Sequence, residues 1–353
     1  MKLKVNANLN VRVGKPSLNA PCYQYLAPGS ILEVDGNLYP GDKYDGINTW
    51  YKDEAGNYYW SGGVEEINSN IVKEFIKDQY WWLKDYGIQE LWKFGLTGKG
   101  IKIAILDSGL SLPHPDLNIE LSQCIDVSEN NLNSINDKTG HGTHCTGIIA
   151  ASNNGFGVKG IAYDSEIYFC KITNDEVGDN VYYLNKGLEW AINNKVDIIS
   201  ISQGYKMPDK NLEILLNKAN ELNIIVVCSG GNQSNLETFS DILYPAKYNS
   251  TIAVGAIDQT KKVVERTIYS DNLNIMAPGS EIYSTFLNSS YKSESGSSQA
   301  AAYVSGVIAL FLQKYKQDNI TISLDIKTFL QNKGDLISGM NVSIINPLKI
   351  IGL

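Results

Sequence analysis

Histidine is nearly absent from this chain, with three in 353 residues. Any acid–base chemistry run by an imidazole must therefore use His114, His141 or His144. The five cysteines (Cys22, Cys124, Cys145, Cys170, Cys228) are scattered, odd in number and never spaced CxxC. That argues against a disulfide framework and for reduced thiols that pack as small hydrophobes. Basic residues are short as well. Thirty Lys and Arg against 38 Asp and Glu leave a net charge of −8, which argues against nucleic acid or an anionic membrane surface as the main partner. No run approaches the roughly 18 apolar residues that span a bilayer. The start, MKLKVNANLNVRVGK, lacks an apolar h-region and a small-residue cleavage site, so it does not read as a secretory signal. A cytoplasmic setting is expected, or a secreted one if a leader has been removed.

What is present is concentrated. Two of the three histidines fall in GHGTHCTG (140–147), and the third lies in ILDSGLSLPHPDL (105–117) with Asp107. An imidazole that is to take a proton from a hydroxyl needs a carboxylate to orient it. Asp107 and His141 are the candidates for that pair. Asp107 alone could be a turn cap, and His114 and His144 read as structural contacts. The hydroxyl comes from far downstream, at Ser298 in SGSSQAAAYVSGVIALF (295–311). Gly296 is expected to give that turn its conformational freedom. Ala300 to Phe311 reads as a buried helix whose first-turn amides favour negative charge beside Ser298.

The chain divides near residue 66. Residues 1–66 hold short alternating segments (LNVRV, SILEV, TWYKD, NYYWSG) between glycine turns, the pattern of a small β-barrel. LNVRVGKPS, LAPGSILEV and TWYKDEAGNYYWSGGVEE together resemble a bacterial SH3-like domain. Trp50, Tyr51, Tyr58, Tyr59 and Trp60 either line a groove for a peptide or glycan or, at alternate positions, fill the barrel core. Residues 67–84 read as a linker or N-terminal extension carrying Tyr80, Trp81 and Trp82, which could lie across the cleft as an inhibitor. From 85 to 353, nearly unbroken apolar runs alternate with helix-like stretches: KIAILD (102–107), IYFCKI (167–172), DIISIS (197–202), IIVVCS (224–229) and TIAVGA (251–256). The fold class that follows is α/β, a doubly wound and mostly parallel sheet with function at the strand carboxyl ends.

Residues from about Tyr86 to Gly306 resemble the subtilisin-like serine proteases, in that family's order Asp, His, Ser. DSG matches Asp107–Gly109, HGTH matches His141–His144, and Gly296–Gly306 matches the segment around the family's serine. YPAKYNSTIAVGAI (244–257) and MAPGSEIYST (276–285) follow it too. The resemblance implies a serine endopeptidase acting on peptide or protein substrates through an acyl-enzyme. Ser298 would be the nucleophile, His141 the base, Asp107 its orienting carboxylate, and Asn232 with the Ser298 N–H the oxyanion donors. Ser202, Gln203 and Gly204 would pair with the substrate backbone. Ser229, Gly230 and Gly231 would form the opposite wall of the specificity pocket, and Leu243 its shallow, apolar base. Small or medium uncharged residues before the scissile bond are therefore expected. SNNGFGV (152–158) resembles the family's calcium loop, implying Ca2+ held by Asp116, Ser152, Asn154, Phe156 and Val158; a metal-free turn is the competing reading. Gln299, Ala302 and Tyr303 depart from the family's usual residues around the serine helix. An intracellular processing or regulatory role is expected. The alternative is a catalytically silent relative that uses the cleft for binding.

Overall fold

The computed structural model describes residues 1–6, 9–26, 30–66, 80–128, 134–155, 157–174, 176, 178–233, 239–320, 325–336 and 339–352, with the side chains of 23 and 24 excepted. Contacts divide the chain into two units, the first holding Met1–Asp78 and Asn288–Tyr291 and the second Gln79–Leu287 and Lys292–Leu353.

The second unit is built on seven parallel strands: β1 Lys102–Asp107, β2 Cys124–Asp126, β3 Glu166–Lys171, β4 Ile198–Ile201, β5 Ile225–Ser229, β6 Ile252–Ile257 and β7 Ile275–Pro278. Their spatial order is 2-3-1-4-5-6-7. The apolar runs form strands because both faces of the sheet are covered; every residue of β4, β6 and β7 is buried. Four helices provide most of the cover. α1 (His141–Ala150) and α4 (Ser297–Gln317) pack on each other, and α4 also lies along β4 to β7. α2 (Val181–Asn193) and α3 (Lys210–Glu221) pack together against β1, β3 and β5. Asn180 and Asp209 cap α2 and α3, accepting from Tyr182 N–H and Leu212 N–H, as expected of short polar residues before an apolar-periodic run. α4 is buried from Ser297 to Gln313. The chain reverses its direction of winding at β1, whose neighbours are β3 and β4. Side chains at the carboxyl ends of β1 and β4 therefore face a common crevice.

One segment departs from the sequence expectation. Trp81, Trp82 and Leu83, read as part of a linker that could cover the cleft, are buried in the core of the second unit. Trp82 meets Tyr303 of α4 edge-on, 6.2 Å between centroids. Three large apolar side chains in a row are worth more inside than exposed, so the unit takes them in. Residues 67–79 of the linker reading lie outside the described residues.

The first unit has two antiparallel sheets. One holds five strands in the order Cys22–Leu26, Leu9–Val13, Asn57–Trp60, Ile47–Lys52, Tyr39–Tyr44; the other holds Ile31–Glu33, Lys2–Val5 and Val64–Glu66. Leu3, Val5, Leu9, Val11, Leu32, Val34 and Tyr59 make its core. Period-2 alternation sorts the aromatic run only in part, since Trp60 also packs against that core. Tyr51 and Tyr59 pair across strands and face that core. Tyr58 meets Tyr39 edge-on, Trp60 meets Tyr44 edge-on, and the Lys52 ammonium stands over the Tyr39 and Tyr58 rings. Trp50 is buried and donates its indole N–H to Asp42 O.

Candidate active site

Asp107 ends β1 with its side chain 3% exposed, and its Oδ1 lies 2.7 Å from Nδ1 of His141. Oδ1 also accepts the Ser108 N–H at 2.7 Å, while Oδ2 accepts no hydrogen bond among the described residues. His141 is the first residue of α1, and Asp137 holds that helix start in place. Its Oδ1 accepts from Gly140 N–H (2.9 Å) and from the Ser108 hydroxyl (3.0 Å); its Oδ2 accepts from Thr143 N–H (3.0 Å) and the Thr143 hydroxyl (2.7 Å). A carboxylate here meets helix N–H groups that have no intrahelical partner. It also ties the residue after Asp107 to the first turn of α1, which fixes the Asp107–His141 contact. Sequence reading passed over Asp137, which lies three residues before the Gly140 N-cap and so outside the position a capping signal occupies.

The electrostatics favour a charged ring. Burial disfavours the imidazolium, but the charge and hydrogen bond of Asp107, with Glu294 and Asp137 beyond it, outweigh this and push His141 up to about 9. His144 is different. Fully buried, with Nε2 at 2.9 and 3.0 Å from the carbonyls of Ile282 and Lys292, it is pulled down to about 4 by desolvation. His114 accepts the Asp116 N–H on Nδ1 within its own turn.

Ser298 lies in the first turn of α4. Its hydroxyl points to Ser202 O at 3.5 Å, and among the described residues it makes no hydrogen bond to His141. Ser202, just past β4, links the two halves of the site: its own hydroxyl is 3.9 Å from Cys145 Sγ. Ligand atoms of Cys145, Asp107 and His141 in turn lie within 4.8 Å of one another. Rotation about the Ser298 χ1 bond re-aims the hydroxyl, and such bonds are commonly loose before substrate arrives.

Asn232 follows β5. Its Oδ1 accepts the Ser297 N–H at 3.0 Å, and Gly231 N–H donates to Ser297 Oγ at 3.2 Å. With Oδ1 so occupied, the carboxamide is locked and Nδ2 is turned over Gly296, where an added Cβ would stand 3.2 Å from it. The backbone at Gly296 is extended (φ 160°). The glycine leaves room beside Gln299 Oε1, 3.1 Å from the same added Cβ, and Asn232, both of which would have to give by a few tenths of an ångström for a larger residue. The Ser298 N–H, in the first helical turn, has no intrahelical acceptor.

Around this centre, Gln203 turns its side chain away into the short hairpin of Thr173–Asn174 and Gly178–Asp179. It donates to Asp179 Oδ1 at 2.8 Å and to Thr173 Oγ1, and accepts from the Tyr205 hydroxyl. Its side chain braces that wall, so only its backbone is left to meet a peptide. Opposite are Ser229, Gly230 and Gly231, all buried. Leu243 donates its N–H to Gly230 O at 3.0 Å. A Cβ at Gly204 would be 2.8 Å from Leu243 Cδ1, and one at Gly231 3.0 Å from it. Leu243 thus fills the space between the two walls.

At the 152–158 loop, Asp116 is fully buried and both its oxygens accept protein donors: Asn154 Nδ2 on Oδ1 at 2.8 Å and Val158 N–H on Oδ2 at 2.7 Å. Ser152 N–H donates to Asp116 O. Phe156 lies outside the described residues. The donor set of one carboxylate, one carboxamide and loop carbonyls suits a hard cation. It does so only once the Asn154 amide, whose Nδ2 also donates to Pro115 O at 3.1 Å, is turned so that its oxygen faces inward.

The family model of the subtilase family matches residues 98–337. The chain is 36% identical over 276 residues to Subtilisin E of Bacillus subtilis (strain 168), covering 73% of this chain and 72% of that protein. It is 38% identical over 236 residues to the Subtilisin of Bacillus pumilus, covering 65% and 85%. Against the Minor extracellular protease Epr of Bacillus subtilis (strain 168) the identity is 37% over 236 residues, covering 67% of this chain and only 36% of that protein.

Proposed function

Because the chain belongs to the subtilase family and is a serine endopeptidase, we propose that Ser298 attacks the peptide carbonyl with His141 as its base. As the Oγ–C bond forms, the hydroxyl proton passes to His141 Nε2. Asp107, on Nδ1, keeps the acceptor lone pair on Nε2 and stabilises the ring once charged. The developing oxyanion is met by Asn232 Nδ2 and Ser298 N–H. His141 then hands its proton to the leaving amine, and water repeats the sequence on the acyl-enzyme. The 2.7 Å contact between Asp107 and His141 carries this reading. Covalent labelling of Ser298 by a peptidyl phosphonate, abolished in His141→Ala, tests it; equal labelling of that variant overturns the assignment.

The substrate runs, in this proposal, as an added strand along Ser202–Gly204, with Ser229–Gly231 opposite and Leu243 limiting the pocket to small or medium uncharged residues. We further propose Ca2+ at Asp116, Ser152, Asn154, Phe156 and Val158, where it would tie the loop to the turn before it. A chelator should then lower the unfolding midpoint, and an unchanged midpoint removes the ion. The first unit is proposed to be SH3-like, taking a peptide or glycan on the aromatic face of Tyr39, Tyr44, Tyr58 and Trp60. Five free cysteines support a cytoplasmic setting, and with it a processing or regulatory role.

A further inference from the structure

The hairpin beside the substrate edge carries a carboxylate that the mechanism does not use. Asp179 is exposed. Its Oδ1 accepts from Gln203 Nε2 at 2.8 Å and from the Thr173 hydroxyl at 2.9 Å, which fixes the orientation of the group. Among the described residues its Oδ2 accepts no hydrogen bond, and no lysine or arginine pairs with it. Gln203 is 9% exposed and bound at both ends, since its Oε1 also accepts the Tyr205 hydroxyl at 3.0 Å. It is therefore a rigid post that holds Asp179 at a set offset from the Ser202–Gly204 edge.

The two faces of that edge differ. A Cβ at Gly204 would stand 2.8 Å from Leu243 Cδ1, so Gly204 faces the pocket. Gln203, its neighbour, points the other way, to Asp179. A peptide added as a strand alternates in the same manner, because residues paired across strands share a face. The residue before the scissile bond sends its side chain to Leu243. The next one upstream then lies on the Gln203 face and runs beside that side chain to the hairpin. Neighbouring strands are roughly 4.8 Å apart, so a side chain longer than glutamine reaches the Asp179 carboxylate.

We propose that Asp179 selects lysine or arginine at the second residue before the scissile bond. This rests on the proposed course of the substrate along Ser202–Gly204 and names its class: peptides with an uncharged residue at the cut, preceded by a basic one. The cation donates to Oδ2 in a charge-assisted hydrogen bond while Oδ1 stays with Gln203 and Thr173. The net charge of −8 favours the approach of such peptides.

The test uses the full chain as wild type, Asp179→Asn, Asp179→Lys and Ser298→Ala. Paired peptides carry lysine or norleucine, which differ chiefly in the charge, at the first, second or third residue before the scissile bond. The wild type should favour lysine about fivefold in kcat/KM at the second position alone, the upper end for an exposed ion pair. High salt should bring that ratio towards parity. Asp179→Asn keeps an oxygen for Gln203 and Thr173 but loses the charge, so its ratio should be at parity, and Asp179→Lys should invert it. Ser298→Ala, inert as an enzyme, should bind the lysine peptide tighter by the same factor, and adding Asp179→Asn should abolish the difference. Parity in the wild type, a preference at another position, insensitivity to salt, or a ratio that Asp179→Asn leaves unchanged overturns the assignment. Should Ser298→Ala bind with the expected ratio while the wild type hydrolyses nothing, the protease mechanism fails and the role of Asp179 stands.

Discussion

Replacing Asn232 by alanine removes two interactions that can be measured separately. One is the acceptor for the Ser297 N–H at 3.0 Å, whose loss should cost folding about 1 kcal/mol. The other is the Nδ2 donor held over Gly296. Because Oδ1 is already engaged, Nδ2 is positioned before substrate arrives, and no reorganisation is spent when the carbonyl oxygen acquires charge. Losing such a donor costs roughly 2.7–4 kcal/mol of barrier stabilisation, or 10²–10³ in kcat; that range derives from a subtilisin, so it calibrates this case and is not worked from its geometry. KM should scarcely move, since the interaction strengthens only in the transition state. Asn232→Asp is the informative partner. It keeps an oxygen for Ser297 N–H, so its unfolding midpoint should recover, while kcat stays at least as low because the donor is now an anion. Initial rates on a chromogenic peptide, normalised by active-site titration, give kcat and KM apart. A fall in kcat of less than about tenfold in Asn232→Ala, or an active Asn232→Asp, refutes the assignment.

The acid limb of kcat/KM should lie above the ordinary histidine value of 6.5, towards the value of about 9 to which Asp107 pushes His141. Only the neutral ring accepts a proton, so rate rises with pH through that pKa. Asp107→Asn should shift the limb to lower pH and reduce kcat by about 10⁴; an unmoved limb contradicts the coupling. Leu243→Gly should open the pocket, raising kcat/KM for large aromatic residues over alanine before the scissile bond by roughly tenfold; an unchanged peptide-library profile would show that Leu243 does not limit it. Trp82→Ala should cost about 3–5 kcal/mol in denaturant unfolding, as a core residue does; a loss under 1 kcal/mol would return this segment to a linker.

The strands of the second unit were largely legible beforehand. KIAILD is β1 to the residue, and the other four runs fall within one residue of the observed bounds. Strands covered on both faces need continuous apolar residues, and that local requirement is written in the chain. Two further members, Cys124–Asp126 and Ile275–Pro278, were not singled out. The first is three residues long and the second is ended by a proline, too little pattern to detect. In the first unit, Lys2–Val5, Cys22–Leu26 and Tyr39–Tyr44 were missed for a similar reason. The third of these reads YPGDKY, which its turn-like residues disguise.

Residue type and order along the chain determined the chemistry on offer: three histidines, one of them at a helix start, an aspartate at a strand end and a serine after glycine. Those choices are local, set by backbone preference and side-chain pKa. Packing decided the rest. It made Asp137 the brace of α1, set Cys145 against the Asp107–His141 pair, wedged Leu243 between two walls and drew Trp81 and Trp82 into the core. Each of these joins residues remote in sequence, or depends on which way a side chain turns once its neighbours are fixed. Distances of that kind exist only after the sheet has brought its strand ends together.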